Sequence, residues 1–255
     1  MKHTHLYFES HIGRQKPENI INREATCPFC DRESLEGVLE ERGSIIFLKN
    51  KYPVLQDTYQ TLIIETDECD SELSVYPKEH LHQLFRFGME KWMDMEASGE
   101  FRSVMFYKNH GPYSGGSLKH PHMQIIGLQH VDYQEHTRLD HFVGVEIDAA
   151  QGISCNISSQ PRAGFTEFNV ILEDLAQIDR MADYVQILTH YILHHFNQRC
   201  ASYNLFFYHL GGKRLVKVVP RFVTSPLFVG YSIPQVSNNI EEIAKTIQRL
   251  YLAER

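Results

Sequence analysis

The segment YKNHGPYSGGSLKHPHMQIIG, residues 107–127, joins two apolar runs through a loop rich in glycine and serine. Glycine permits the backbone conformations that turn several N–H groups toward an anion. The loop lacks the Gly-Lys-Ser/Thr ending of a Walker P-loop, and most glycine loops are simply turns. The candidate phosphate-binding residues of this loop are Ser114, Gly115, Gly116 and Ser117.

The pattern His-Pro-His-Met-Gln follows the loop at once. Side chains alternate across a strand, so His120, His122 and Gln124 should share one face, with neighbours ~7 Å apart. Pro121 and Met123 should face the core. Because proline removes one donor from the ladder, we expect this stretch to lie at an edge or to be locally distorted.

A neutral imidazole next to an anion-binding loop is suited to attack phosphorus, because it titrates near neutrality. Attack on an α-phosphate would expel a phosphorylated leaving group and leave a nucleotidyl-histidine. A second phosphate would then reverse the step with ping-pong kinetics. Three polar residues on a solvent-facing strand would give the same pattern, so a non-catalytic interpretation stays open here.

Composition narrows the class of protein. The chain has 255 residues, 42% of them hydrophobic, which fits one large or two small domains. We expect no nucleic-acid partner, because the net charge is −7, whereas a small phosphorylated ligand is compatible with that charge. We expect a cytoplasmic protein with no membrane partner, since no run approaches ~20 apolar residues and the N-terminus lacks the apolar core of a signal peptide.

The order of apolar segments predicts two similar halves. Each half contains a pair of strands, one long helix, a strand, a glycine turn and a further strand. One long helix begins at Pro77, in its first turn, a second spans residues 174–198 with Asp174 as its cap, and a last helix spans about 237–253. This order favours an α+β fold with antiparallel sheets, divided into domains 1–140 and 141–255.

The second half lacks a His-x-His after its glycine turn, so we expect one working site per chain. Histidines 190, 194 and 195 are interpreted as helix residues without a special role.

The segment NHGPYSGGSLKHPHMQ resembles the active-site segment of the galactose-1-phosphate uridylyltransferase branch of the histidine-triad superfamily. Three more segments are similar to that branch in the same order: CPFC (27–30), LKNKYPVL (48–55) and LIIETDECDSEL (62–73). The resemblance runs in register over residues ~20 to 128 and is looser beyond. It implies two histidine-triad-like halves, a nucleotidyltransferase or phosphorylase activity, and a homodimer.

The resemblance also implies residue roles. His122 matches the nucleophile, and Gln124 matches the residue that hydrogen-bonds the transferred phosphoryl group. The positions that match nucleotide or phosphate contacts are Asn50, Asn109, Gly115 and Ser117. The base, the sugar and the acceptor of the substrate are not readable from these positions.

The resemblance further implies a structural zinc ion. CPFC matches the zinc-binding CxxC, and His120 matches another ligand. Cys69 stands where the family usually has histidine, so the implied set is Cys27, Cys30, Cys69 and His120, a Cys₃His combination typical of zinc. Two cysteines in a turn can also be plain structural residues.

Two other functions remain open at this point. Hydrolases of nucleotide phosphoesters in other histidine-triad branches carry a third histidine where this chain has Gln124. A neutral amide cannot supply a proton, which weakens the hydrolase interpretation. A non-catalytic nucleotide-binding protein is the second alternative.

Overall fold

The computed structural model of the chain describes residues 5–20, 22, 24–197 and 200–253. The strands are β1 Val38–Arg42, β2 Ile45–Lys49, β3 Thr58–Ile64, β4 Ser103–His110, β5 His122–Leu128, β6 Gly144–Ala150, β7 Ile153–Ser158, β8 Phe168–Leu172, β9 Tyr203–Leu210 and β10 Lys213–Pro220. The helices are α1 Ser10–Gly13, α2 Lys78–Ala97, α3 Ile178–Tyr191, α4 Pro226–Tyr231 and α5 Ile240–Tyr251. Among the described residues, no helix is long and apolar enough to cross a membrane.

The chain divides into two compact units. The first comprises Met1–Glu72 and Gln83–His136, and the second comprises Leu73–His82 and Thr137–Arg255. The domain division at 140/141 stays a sequence-based prediction.

The first unit contains the antiparallel strands β1-β2-β3-β5-β4 in that spatial order. Strand β5 therefore lies between β3 and β4 and is hydrogen-bonded on both sides. Its first residue, His122, pairs with Ile64, and Gln124 lies between Leu62 and Tyr107. A central strand holds its side chains more firmly than an edge strand, which is what a precisely placed reactive group requires.

Pro121 lies immediately before this central strand, where its missing N–H breaks no ladder bond. Its carbonyl accepts a hydrogen bond from the N–H of Glu65 at 3.1 Å. The observed strand begins at His122, two residues after the start that the sequence predicts. The proline therefore does not distort the strand but precedes its first residue.

Helix α2 packs on one face of the first unit's strands. Gly88 makes this packing close, because a Cβ there would lie 2.8 Å from the Phe106 ring. The buried Trp92 donates its indole N–H to the Val104 carbonyl at 3.0 Å. His122 and Gln124 project to the opposite face, since Met123 and Ile125 pair with the α2-facing residues of β4.

The second unit repeats the arrangement, with strands in the order β6-β7-β8-β10-β9 and the long helix α3. Phe168 of β8 meets Tyr191 of α3 edge to face, at 6.1 Å between ring centroids. The α+β prediction with two similar antiparallel halves is therefore confirmed.

Element boundaries differ from the sequence-based ones in the second unit. Asp174 is a cap as predicted, but its carboxylate accepts the Ala176 N–H of a short 3₁₀ turn that precedes α3. The predicted end at residue 198 lies outside the described residues; α3 itself ends at Tyr191 and passes into a π-helical turn, Ile192–Phe196. Strand β1 was absent from the prediction because its residues, VLEER, carry three charges.

A buried ion pair lies next to the start of β5. Lys108 of β4 and Glu65 after β3 are 1% and 0% exposed, and the Lys108 ammonium donates to the Glu65 carboxylate. The N–H of the same Glu65 bonds the Pro121 carbonyl. The pair therefore holds the backbone on which the His-Pro-His segment begins.

We predict that Lys108→Met lowers the free energy of unfolding by about 3–5 kcal/mol, because it leaves the Glu65 charge buried and unpaired. The double variant Lys108→Met/Glu65→Leu should recover most of that loss. The exposed pair of Lys213 and Glu173 is the matched control, and Lys213→Met should cost less than about 1 kcal/mol. Urea unfolding measures all three; equal losses for Lys108→Met and Lys213→Met would contradict the prediction.

Candidate active site and metal centre

The glycine-serine loop connects β4 to β5 and is shaped by its own hydrogen bonds. The Ser114 hydroxyl donates to the Gly111 carbonyl at 2.7 Å and accepts the Gly116 N–H at 3.3 Å. Gly115 has φ +85°, a conformation that favours glycine, and a Cβ there would meet open space. Gly116 allows the loop to approach β4 closely, because a Cβ at this position would lie 3.2 Å from Cβ of Asn109.

The hydroxyl of Ser114 is thus engaged within the loop, and its side chain is buried. Within the described part of the chain, the N–H groups of Gly115 and Ser117 make no hydrogen bond. These two donors are the ones available to an anion in this conformation. The predicted phosphate contacts of the loop stay predictions, with Ser114 placed to shape the loop.

The N-terminal segment of the same chain holds the far end of this loop. Asn19 donates its N–H to the Ser117 carbonyl at 3.0 Å and accepts the Lys119 N–H on Oδ1 at 2.7 Å. Asn19 is 7% exposed, so both bonds are shielded from water. No sequence signal indicated this contact, because the two partners are about a hundred residues apart.

His122 has a defined tautomer. Its Nδ1 lies 2.9 Å from the carbonyl oxygen of His120, and a carbonyl can only accept, so Nδ1 carries the proton. The lone pair of the neutral ring is consequently on Nε2. The side chain is 7% exposed, so packing restricts its rotation while a small part of it stays accessible to solvent.

Burial lowers the pKa of the His122 ring to about 4. The bond to the His120 carbonyl opposes this shift, while the positive charges of Lys108 and Lys16 add to it. The ring is therefore neutral near pH 7. The sequence analysis did not identify Lys16 as a residue of this site. Burial and the charge of Lys108 also lower the pKa of His110, to about 4.

Four side chains converge beside this histidine. The ligand atoms of Cys27, Cys30, Cys69 and His120 all lie within 4.8 Å of one another. His120 is fully buried, and its Nδ1 lies 3.5 Å from Sγ of Cys27 and 3.6 Å from Sγ of Cys30. Among the described residues, this is the one group of three or more such side chains with that spacing.

The second nitrogen of His120 is held by the backbone. Its Nε2 lies 2.9 Å from the Thr66 carbonyl oxygen, so Nε2 is protonated and Nδ1 presents its lone pair to the sulfurs. A backbone carbonyl behind a histidine is the usual support for a metal ligand. The four residues could therefore hold a metal ion, in agreement with the set predicted from the sequence.

The thiols perturb one another. Burial tends to raise the pKa of Cys27, but hydrogen bonds with His120 and the Phe29 N–H lower it to about 6. Burial and the neighbouring thiols raise the pKa of Cys69 to about 12. Three thiolates in one place repel one another, and a bound divalent cation removes that repulsion.

Phe29, inside the CPFC turn, links the two histidines. Its ring contacts His120 edge to face at 5.8 Å and His122 at 5.4 Å between centroids. It also belongs to the cluster that covers this face of the strands, with Ile46, Leu48, Leu62 and Ile64. The CxxC turn thus packs directly on the candidate nucleophile. The aromatic residue within CxxC indicated that this turn packs on an apolar surface. The sequence did not show which residues form that surface.

The remaining predicted contacts lie at the ends of neighbouring strands. Asn50 follows β2, and its Oδ1 accepts the Tyr52 N–H at 2.9 Å, which leaves the amide nitrogen for other partners. Asn109 lies on β4 against Gly116. Gln124 is half-buried on the face of His122. Their contacts with a ligand stay predictions.

The second unit has a different residue at the equivalent position. Ile64, the last residue of β3, pairs with His122, and Leu172, the last residue of β8, pairs with Arg214. Strands β9 and β10 are joined by only Gly211 and Gly212, so no loop comparable to 111–121 exists there. One working site per chain stays a prediction.

Solved structures of other proteins share this fold. A uridylyltransferase aligns with a TM-score of 0.69 at 16% identity, over 89% of this chain and 91% of that one. An ADP-glucose phosphorylase from Arabidopsis thaliana, solved with bound ADP-glucose, aligns with a TM-score of 0.71 at 15% identity, over 89% and 91%. The chain therefore shares its fold with a uridylyltransferase and an ADP-glucose phosphorylase, which confirms the resemblance at the level of fold.

The chain belongs to the DUF4931 family, a family described as a domain of unknown function. Its N-terminal domain model matches residues 8–131 and its C-terminal domain model matches residues 134–252. A DUF4931 family protein from Bacillus cereus ATCC 10987 is 50% identical, with a TM-score of 0.78 over 84% of this chain and 99% of that one. No curated protein matches the sequence.

We predict about one divalent metal ion per chain in purified protein, because the four ligands form a single four-coordinate set. Cys27→Ser should lose the ion and lower the melting temperature. Cys155→Ala is the matched control, since this buried cysteine lies on β7 of the other unit and should leave the metal content unchanged. Elemental analysis with thermal melting measures both; full stability after complete removal of the metal would contradict the assignment.

Proposed function

We propose that the protein is a nucleotidyltransferase or phosphorylase that moves a nucleoside monophosphate through a covalent nucleotidyl-His122. The observation that carries this proposal is the hydrogen bond from His122 Nδ1 to the His120 carbonyl. It leaves the Nε2 lone pair on a ring held beside the glycine-serine loop. The fold shared with a uridylyltransferase and an ADP-glucose phosphorylase supports the same class of reaction.

In the first step, Nε2 of His122 attacks the α-phosphorus of a nucleoside diphosphate sugar. The Nε2–P bond forms while the bond from the α-phosphorus to the bridging oxygen breaks, and the sugar phosphate leaves with that electron pair. The ring becomes positively charged. The His120 carbonyl, which already accepts Nδ1–H, stabilises this charge.

In the second step, an oxygen of inorganic phosphate or of a sugar phosphate attacks the same phosphorus. The Nε2–P bond breaks and its electron pair returns to Nε2. Loop N–H groups of Gly115 and Ser117 and the amide of Gln124 would hold the phosphoryl oxygens during both steps. Such preorganised donors stabilise developing charge by about 3 kcal/mol each.

Gln124 favours transfer over hydrolysis. An amide donates a hydrogen bond to a phosphoryl oxygen but cannot transfer a proton to water or to a leaving group. The bridging oxygen of a sugar phosphate departs as a stabilised anion and needs no such proton. This supports a phosphorylated leaving group and a phosphorylated acceptor.

We further propose that the metal is zinc and that its role is structural. Three thiolates and one imidazole form a combination that zinc favours in closed structural sites, with no position left for water. The ion, when bound, would connect the CPFC turn to the segment before β5. Phe29 and the His120 carbonyl would then be held against His122.

The test is covalent labelling with ADP-glucose and UDP-glucose that carry ³²P at the α-phosphate. Wild-type protein should retain label after denaturation, and the label should be stable in base, labile in acid and discharged by phosphate or a sugar 1-phosphate, as expected of a phosphoramidate. His122→Ala should abolish labelling with metal content and melting temperature unchanged. His130→Ala, an exposed histidine after β5, is the matched control and should label normally.

Gln124→Ala should lower turnover by about 10²–10³-fold, the usual cost of losing one donor to developing charge, while labelling still occurs. Gln124→His should raise the ratio of hydrolysis to transfer. If His122→Ala turns over a nucleotide substrate as fast as wild type, the covalent mechanism is wrong and the site is a binding pocket.

We also propose that the protein is a homodimer, as the family resemblance implies. Exposed apolar side chains in the C-terminal segment support an interface there, with Val223, Val229 and Tyr231 exposed by 84%, 72% and 74%. The double variant Val229→Glu/Tyr231→Glu should shift the protein toward monomer without loss of folding. Light scattering at micromolar concentration tests both, and a monomeric wild-type protein would overturn the proposal.

A further inference from the structure

The N-terminal segment contacts the second half of the glycine-serine loop through Asn19. The Asn19 N–H donates to the Ser117 carbonyl at 3.0 Å, and its Oδ1 accepts the Lys119 N–H at 2.7 Å. Ile20 lies beside this contact, with its Cδ1 3.7 Å from the position that a Cβ would take at Gly116. The segment is therefore packed on the loop to which the sequence analysis assigns phosphate binding.

The two bonds of Asn19 fix the backbone on both sides of Leu118. The Ser117 carbonyl belongs to the peptide plane before Leu118, and the Lys119 N–H belongs to the plane after it. Holding both planes restricts φ and ψ of Leu118, because these are the two soft dihedrals that join them. In the part of the chain that the structure describes, the backbone of residues 117–119 makes no other hydrogen bond.

Apolar packing does not replace these bonds. The side chain of Leu118 packs against the cluster that contains Phe29 and Leu62. Such contacts keep the segment near the strands but have no preferred direction, whereas a hydrogen bond requires aligned donor and acceptor. Asn19 is 7% exposed, so water competes little for its two partners. The orientation of the peptide planes around Leu118 therefore depends on Asn19.

The first half of the loop has a support of its own. The Ser114 hydroxyl donates to the Gly111 carbonyl and accepts the Gly116 N–H. The donor of Gly115 lies within this internally bonded half. The donor of Ser117 lies next to the two planes that Asn19 holds. The two N–H groups available to an anion are thus placed by different residues, one by Ser114 and the other by Asn19.

We propose that Asn19 is a positioning residue for phosphate binding, which holds the second half of the loop so that the Ser117 N–H meets a phosphoryl oxygen. It acts through the loop and does not touch the ligand. This role rests on the proposed function for the identity of the ligand, a nucleotide whose α-phosphate lies beside His122. Preorganised donors matter most where charge develops, so the loss of Asn19 should slow the reaction more than it weakens binding.

The test combines calorimetric titration with ADP and UDP and the single-turnover rate of labelling by the two ³²P-labelled nucleotide sugars. Asn19→Ala should bind the preferred nucleotide about 3–10-fold more weakly, the net worth of one hydrogen bond. Its labelling rate should fall by about 10²-fold, the cost of a misplacement of about 1 Å at a reacting centre. Asn22→Ala, an exposed residue of the same segment, is the matched control and should behave as wild type.

A conservative variant separates positioning from a general loss of structure. Asn19→Asp keeps an acceptor oxygen for the Lys119 N–H and should recover most of the labelling rate. Hydrogen exchange should be faster in the loop, residues 111–121, in Asn19→Ala, and close to wild type in Asn19→Asp and Asn22→Ala.

The role of Asn19 is overturned if Asn19→Ala labels at the wild-type rate and binds nucleotide as tightly as wild type. It is also overturned if Asn19→Asp is as slow as Asn19→Ala while hydrogen exchange in the loop is unchanged in both. If wild type binds a nucleotide but takes no label, the proposed function fails, and the affinities of wild type and Asn19→Ala still decide the role of Asn19. A wild-type protein that neither binds nucleotide nor takes label overturns both.

Discussion

One backbone carbonyl, that of His120, connects the two chemical parts of the first unit. It accepts the Nδ1–H of His122, while the side chain of the same residue enters the cysteine cluster. The Thr66 carbonyl fixes that side chain from behind at 2.9 Å. A shift of the cluster would therefore move the carbonyl that sets the tautomer of the candidate nucleophile. A metal there would act on the reaction only through this positioning.

Proline between the two histidines makes this connection rigid. It restricts φ at residue 121 and disfavours the α region at residue 120, so the carbonyl of His120 has few alternative directions. The Pro121 carbonyl is itself held by the Glu65 N–H, and Glu65 is held by the buried Lys108. The segment before β5 is thus restrained on both sides, by a charge pair toward the α2 face and by the cysteine cluster toward the other.

The two units show how one arrangement of strands can carry a site or lack one. Both have the long helix on one face and the same order of strands. The connection before the fifth strand differs: it has eleven residues, 111–121, in the first unit and only Gly211 and Gly212 in the second. Only the longer connection contains the glycine-serine loop, and only there does a histidine open the strand. In the second unit, Arg214 occupies the position that corresponds to His122. Its histidines lie elsewhere, at the end of α3.

The sequence by itself determined the α+β class, the strands around the His-x-His segment, and the candidate ligands Cys27, Cys30, Cys69 and His120. These conclusions depend on local alternation, on side-chain chemistry, and on motifs in a recognisable order. Only the tertiary structure decided the tautomer of His122, the hold of Asn19 on the loop, and the burial of Lys108 with Glu65. Each of these is a hydrogen bond or an ion pair whose geometry depends on how separate segments fold together. Cys27 and His120 are 93 residues apart, and no local pattern specifies the distance between them.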